Sequence, residues 1–459
     1  MFLRGLHLLY VLLTLGLVTA EANGVHEFQL ANGLKVLVQE DHRAPVVVSQ
    51  VWYKVGASNE YGGITGVSHM LEHMMFKGTK KHPPGEFSRI IAANGGRENA
   101  FTGQDYTAYF QTLEKSRLSI SFELEADRMR QLSLKQDEFD KEHQVVLEER
   151  RLRTDDQPHA KLQEHFESVA FSNSPYRNPV IGWPDDVSGL TLDDLRSWYG
   201  RWYAPNNATL VVVGDVVPDE VFALARRYFG PMKPSELPKL KAQAEVEQLG
   251  IRRLTVKLPA KLPFLLMGYK VPSLKTAADE REAYALEVIA GVLDGGNSAR
   301  FSSRLVRGQQ IAASIGAGYD LTARLSSLFS IEATPNEGKT IPEVERALLE
   351  EIKHLREELV TEEELARVKA QVLASHIYQL DSVFYQAMQL GTFETVGLGW
   401  EKIGAYVEKV NAVTADDVKK VANQYLVDER LTIGHLDPLP LPEGAVAPES
   451  SVLGGGHVR

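Results

Sequence analysis

The chain has 459 residues, with 61 acidic against 50 basic side chains, a net charge of −11, 44% hydrophobic residues and no cysteine. That length exceeds one comfortable hydrophobic core, so two or more domains are expected. The negative balance, with no basic tract, argues against nucleic acid as a main partner, and the missing cysteines remove any disulfide framework, thiolate ligand or thiol nucleophile.

Residues 1–22 differ from everything after them. Arg4 is followed by an apolar run at 6–18 and by the small-residue stretch Ala20-Glu21-Ala22. This pattern predicts a secretory signal peptide cleaved after Ala22 or Ala20, hence a periplasmic or secreted protein. The run is short for a membrane span, so an uncleaved anchor is the alternative, and no stable span is expected after cleavage. A first domain at 23–230 then opens with alternating runs at 26–30 and 34–39 joined through Asn32-Gly33, a hairpin signal. A β-rich run at 46–55 leads into a short helix, and a second helix is expected at 87–93. Strand-like pieces at 99–102 and 106–110 flank Gly103-Gln104-Asp105. Residues 116–154 turn helical and are closed by Pro158; a helix at 191–203 and an apolar strand at 210–214 follow.

The Pro-rich stretch 231–250 reads as a linker. Beyond it, 251–445 repeats the first part loosely. Thr191-Leu192-Asp193-Asp194 is echoed 223 positions later by Thr414-Ala415-Asp416-Asp417, and each is followed by a helix and an apolar strand. This offset predicts duplication of one α+β unit, with residues 446–459 as a flexible tail.

The stretch the rest is organised around is His69-Met70-Leu71-Glu72-His73. At helical pitch His69 and His73 project from one face and can grip one cation, while Glu72 lies on the same side, placed to handle a proton. Ser68 is expected to cap this helix and Gly78 to end it. H-x-x-E-H, the reverse of the commoner H-E-x-x-H, marks the inverzincin metallopeptidases. A catalytic zinc site needs a third protein ligand; Glu142, Glu148 and Glu149, in a carboxylate-dense helical segment, are the candidates.

With these residues the chain resembles the pitrilysin-type H-x-x-E-H zinc metallopeptidases, most closely the short bacterial members related to the mitochondrial processing peptidase. The resemblance extends to Asn32-Gly33-Leu34, to the stretches at 95–102 and 105–109, and to Tyr203-Ala204-Pro205-Asn206-Asn207. It implies that Glu149, 76 positions after His73, is the third ligand, with Glu142 supporting from seven positions earlier and Glu148 pointing aside. It further implies two homologous α+β domains, each a mostly antiparallel sheet covered by helices, forming half of a clam-shell that encloses a peptide. Zn²⁺, one per chain, is the implied cofactor, with Glu72 as the base. The resemblance also implies that Asn99, Ala100, Phe101 and Thr102 form an edge strand that pairs with the substrate backbone.

The pattern departs from the family after Ser302-Ser303-Arg304-Leu305-Val306-Arg307. Arg307 matches an arginine that binds the substrate carbonyl, but the tyrosine that should follow it is missing, and Tyr319 lies further on. The expected reading is therefore a zinc endopeptidase of peptides or unfolded segments that holds the metal for a heterodimer. A homologous metal-free subunit, or a second copy in a homodimer, would supply the missing pair. The alternatives are a non-catalytic assembly or scaffold subunit and a binding protein with a merely structural metal.

Overall fold

The computed structural model describes residues 19–22, 24–241 and 243–441. Most of the expected signal peptide and all of the expected tail therefore lie outside the described residues. The first half holds strands β1 (Thr19–Ala22), β2 (Val25–Gln29), β3 (Lys35–Glu40), β4 (Val46–Tyr53), β5 (Arg97–Thr102), β6 (Thr107–Glu114) and β7 (Ala208–Gly214). Its helices are α1 (Val67–Met74), α2 (Glu86–Ala93), α3 (Leu118–Gln131), α4 (Gln136–Arg150), α5 (Pro158–Ala170), α6 (Pro184–Gly189), α7 (Leu192–Trp202) and α8 (Pro218–Tyr228). The second half holds β8 (Arg252–Pro259), β9 (Phe264–Val271), β10 (Ala312–Tyr319), β11 (Ser327–Pro335) and β12 (Leu431–Leu439). Around them lie α9 (Glu280–Asp294), α10 (Ile341–Glu357), α11 (Glu362–Gln379), α12 (Val383–Thr395), α13 (Tyr406–Asn411) and α14 (Ala415–Tyr425).

Among the described residues the strands form a seven-stranded sheet in the order β1-β2-β3-β7-β4-β6-β5 and a five-stranded sheet in the order β8-β12-β9-β11-β10. The expected duplication is legible in the pairing. β3 runs parallel to β7 and β8 parallel to β12, and every later neighbour in both series is antiparallel. Thr191 and Thr414 open α7 and α14 with the same capping box, closed by Asp194 and Asp417. The hairpin at Asn32-Gly33 joins β2 to β3, and Gly33 sits at φ 90.

The two halves exchange a helix, which the sequence pattern does not reveal. The helical stretch ends at Asp155, just ahead of Pro158, and Pro158 itself opens α5, because proline fits the first helical turn, where its missing N–H costs nothing. α5 leaves its own sheet and lays Leu162, Phe166 and Ala170 on Phe264, Leu266 and Leu436 of the second sheet. In return α12 lays Ala387 and Leu390 on Val48, Trp52, Val211 and Val213 of the first. This second cover explains why β4 and β7 are apolar along nearly their whole length, since both of their faces are buried.

Gly391 of α12 lies flat on the Trp52 ring, and a Cβ there would stand 2.0 Å from it. Gly391→Ala therefore forces α12 off the sheet. We expect a loss of about 3 kcal/mol from overpacking, larger than the roughly 1 kcal/mol that alanine gains in a helix. A denaturant midpoint at or above that of the parent chain would refute this.

Residues 233–241 and 243–249 carry neither helix nor strand, but the strap is pinned. Glu245 Oε1 accepts from Ser172 N–H (3.0 Å) and from Lys270 Nζ (2.6 Å), and Oε2 accepts from the N–H groups of Asn173 and Ser174, both at 2.9 Å. Burial raises the Glu245 pKa, but Lys270 and the three backbone donors outweigh it and hold the carboxyl at about 2. A carboxylate depressed in the folded state stabilises above its unfolded pKa, near 4.5, and loses that contribution as pH falls towards 2. Glu245→Gln should therefore lower stability at neutral pH and flatten the acid limb between about pH 4.5 and 2; unfolding curves of parent and variant that stay parallel across that window would exclude it.

Candidate metal centre

α1 is eight residues long and buried throughout, too short to hold together by propensity. Its start is set by its surroundings. Gly66, at φ 88, precedes it, and a Cβ there would come within 2.6 Å of the Ile181 carbonyl oxygen. Ser68 does not cap this helix as expected. Its N–H and that of Gly66 are taken instead by the Glu60 carboxylate, at 2.8 and 2.7 Å, because the chain bends back through residues 57–60 to reach them. Burial pushes the Glu60 carboxyl up to about 8 against the pull of those two donors. The helix ends at Met74, four residues before Gly78.

Val67, Met70, Leu71 and Met74 join the core of the first half. His69, Glu72 and His73 are buried as well, under α4 and β5. From α4, Glu149 brings Oε2 to 3.1 Å from His73 Nε2 and 3.9 Å from His69 Nε2. One donor atom from each of the three lies within 4.8 Å of the others. In a tetrahedral zinc site adjacent donor atoms stand roughly 3.3 Å apart; two imidazole nitrogens and one carboxylate oxygen at these separations suit that ion. Glu142, two helical turns before Glu149, accepts from His73 Nδ1 at 2.8 Å, and this fixes the ring tautomer so that Nε2 faces Glu149.

The electrostatics suit a cation. Burial raises the Glu149 pKa, but the hydrogen bond with His73 and the charges of His69, His73 and Arg153 pull it down to about 2. Glu142 is lowered too: burial opposes it, but His73 and Lys77 prevail. Lys77 Nζ lies 2.5 Å from Glu142 Oε2, and Arg153 Nη1 lies 2.8 Å from Glu149 Oε1. Glu148 points outward to Arg151, clear of the site. Thr102, at the end of β5, donates its hydroxyl to Glu72 Oε2 at 2.6 Å. The sequence placed Thr102 on the edge strand but not on this carboxylate; a contact across 30 positions leaves no local pattern. Lys77 carried a faint signal, four residues after His73. β5 itself pairs with β6 alone among the described strands, so its other edge, along Asn99, Ala100 and Phe101, is open. On that strand Ala100 N–H is taken by the Asn99 side chain at 2.9 Å.

Arg307 is not brought to this centre. It lies exposed on the π-helical segment Phe301–Gly308 ahead of β10, donating to Asn297 O at 2.5 Å and to Ser302 O at 3.4 Å. Tyr319 is also occupied, its hydroxyl donating to Pro272 O at 2.7 Å. Of the other described histidines, His143 meets Val187 O, His159 stacks on Phe264 and His435 meets Glu345. Asn207 is buried and donates to Trp202 O, as a turn residue before β7.

A duplicated α+β chain with two histidines and two glutamates converging on one buried point is the architecture of a metallopeptidase half. The description "Insulinase (Peptidase family M16)" matches residues 35–183, and "Peptidase M16 inactive domain" matches residues 189–372. The zinc protease PqqE of Helicobacter pylori is 33% identical over 413 residues, covering 89% of this chain and 92% of that one. An uncharacterized zinc protease of Mycobacterium leprae is 28% identical, covering 89% and 90%. The crystal structure of a protease from Helicobacter pylori superposes with a TM-score of 0.85 at 32% identity, covering 90% of this chain and 99% of that one. The periplasmic protease PqqL of Escherichia coli shares the fold at a TM-score of 0.76 and 18% identity, over 92% of this chain but 48% of PqqL. The chain belongs to peptidase family M16.

Proposed function

We propose that this protein is a zinc-dependent endopeptidase of extended peptides and unfolded protein segments, and that it is the metal-holding member of a pair of homologous subunits. The observation that carries this is the convergence of His69, His73 and Glu149, braced by Glu142, with Glu72 beside them at the end of an open edge strand. His69, His73 and Glu149 would hold one Zn²⁺ per chain. Zinc bound there supplies Lewis acidity, which polarises a peptide carbonyl and makes a water acidic near neutral pH. Glu72, whose Oε2 accepts from the Thr102 hydroxyl, takes the proton of the attacking water and delivers it to the leaving amine. A peptide adds as a strand along Asn99, Ala100, Phe101 and Thr102, once Ala100 N–H is released by the Asn99 side chain.

In this reading residues 23–230 form the metal-binding domain, 231–250 the linker and 251–445 the metal-free copy. The predicted leader at 1–22 would send the protein to a periplasm or outside the cell, and no described helix is long and apolar enough to cross a membrane. The deciding experiment is metal content. Purified protein is expected to carry about one zinc per chain, and Glu149→Gln to lose most of it. Full zinc in that variant would show that a different carboxylate closes the site. A zinc-loaded chain that hydrolyses no peptide, alone or with a homologue, would leave the scaffold role standing.

A further inference from the structure

We propose that Arg150 is a positioning residue of the metal centre, and that through it α5, although docked on the second sheet, holds Glu149 in place. This rests on reading Glu149 as a metal ligand. Arg150 is the last residue of α4, immediately after Glu149, and is 1% exposed. Its guanidinium ties three elements together. Nη1 donates to Gly182 O at 2.6 Å. Gly182, at φ 87, packs so closely on Thr65, one residue before the Gly66 cap of α1, that a Cβ would stand 2.4 Å from the Thr65 carbonyl oxygen. Nη2 donates to Glu164 Oε2 at 2.7 Å, and Glu164, in the middle of α5, is 5% exposed.

One side chain thus joins the helix of the third ligand, the loop behind the helix of the first two, and the helix lent to the second half. On α5, Glu164 faces back to the first half, while Leu162 and Phe166 face the second sheet. The Phe166 ring fills the space above Gly268 and Gly434, where added Cβ atoms would come within 2.9 and 3.0 Å of it. A buried ion pair is a poor source of stability, because desolvation offsets the attraction. What it fixes is geometry, and geometry beside a metal ligand is read out as affinity: losing a supporting partner typically costs about 10–100-fold.

The test measures Zn²⁺ affinity of the full chain by competition with a chromophoric chelator, alongside unfolding midpoints of the metal-free protein. Arg150→Met is expected to weaken Zn²⁺ by about 10–100-fold, with Arg150→Lys recovering part of the loss. Glu164→Gln and Gly268→Ala, neither of which touches the site, should weaken it by a smaller factor, and they carry the test if Arg150→Met does not fold. Arg300→Met removes a comparably buried ion pair, with Glu364 in the second half, and should lower the midpoint while leaving Zn²⁺ affinity unchanged. Parent-like affinity in Arg150→Met, Glu164→Gln and Gly268→Ala, with Glu149→Gln impaired, would overturn the positioning role and spare the ligand reading. An equal loss in Arg300→Met would reduce the effect to general destabilisation and overturn it too. Parent-like affinity in Glu149→Gln would bring down the ligand reading, and this inference with it.

Discussion

Glu72→Gln should leave zinc content and unfolding midpoint unchanged and lower peptide turnover by on the order of 10²-fold or more. The substitution is nearly isosteric, so the buried site need not rearrange, and the amide oxygen can still accept from Thr102. What disappears is basicity. An amide cannot take the proton of the attacking water or return one to the leaving nitrogen, so both proton transfers lose their carrier. His69, His73 and Glu149 remain in place, which separates this outcome from that of the ligand variants. Turnover comparable to the parent in a zinc-replete Glu72→Gln protein would remove Glu72 from the mechanism.

The second large effect concerns the partner. The chain alone is expected to bind zinc but hydrolyse poorly, and a homologue lacking H-x-x-E-H but carrying the arginine and tyrosine pair should raise turnover by about a hundredfold. The argument starts from two placements. Arg307 is spent on Asn297 O, away from the metal centre, and the Tyr319 hydroxyl is spent on Pro272 O. An oxyanion at the scissile carbonyl still needs fixed donors besides the metal. One such donor is worth roughly 3 kcal/mol of transition-state stabilisation. Mixing the two purified subunits and comparing turnover with each alone gives the answer. Full activity from this chain by itself, with no gain on mixing, would refute the heterodimer.

What the sequence determined by itself is local in origin. H-x-x-E-H names its own chemistry because helical pitch puts positions i, i+3 and i+4 on one side whatever lies around them. The paired Thr caps of α7 and α14 and the Asn32-Gly33 hairpin follow from short-range rules in the same way. Glu149 was singled out from its neighbours only by the family pattern, since helical spacing within α4 says nothing about which carboxylate faces another helix. Tertiary structure decided the rest. Glu60 replaced Ser68 as the cap of α1, Thr102 turned from strand residue to the anchor of Glu72, and α5 and α12 crossed to each other's sheets. The last two depend on surfaces far apart in the chain meeting without voids, and the first on the bend at 57–60 that carries Glu60 back to the N–H groups of Gly66 and Ser68. An apolar stripe on a helix reports that it will be buried, not which sheet will bury it.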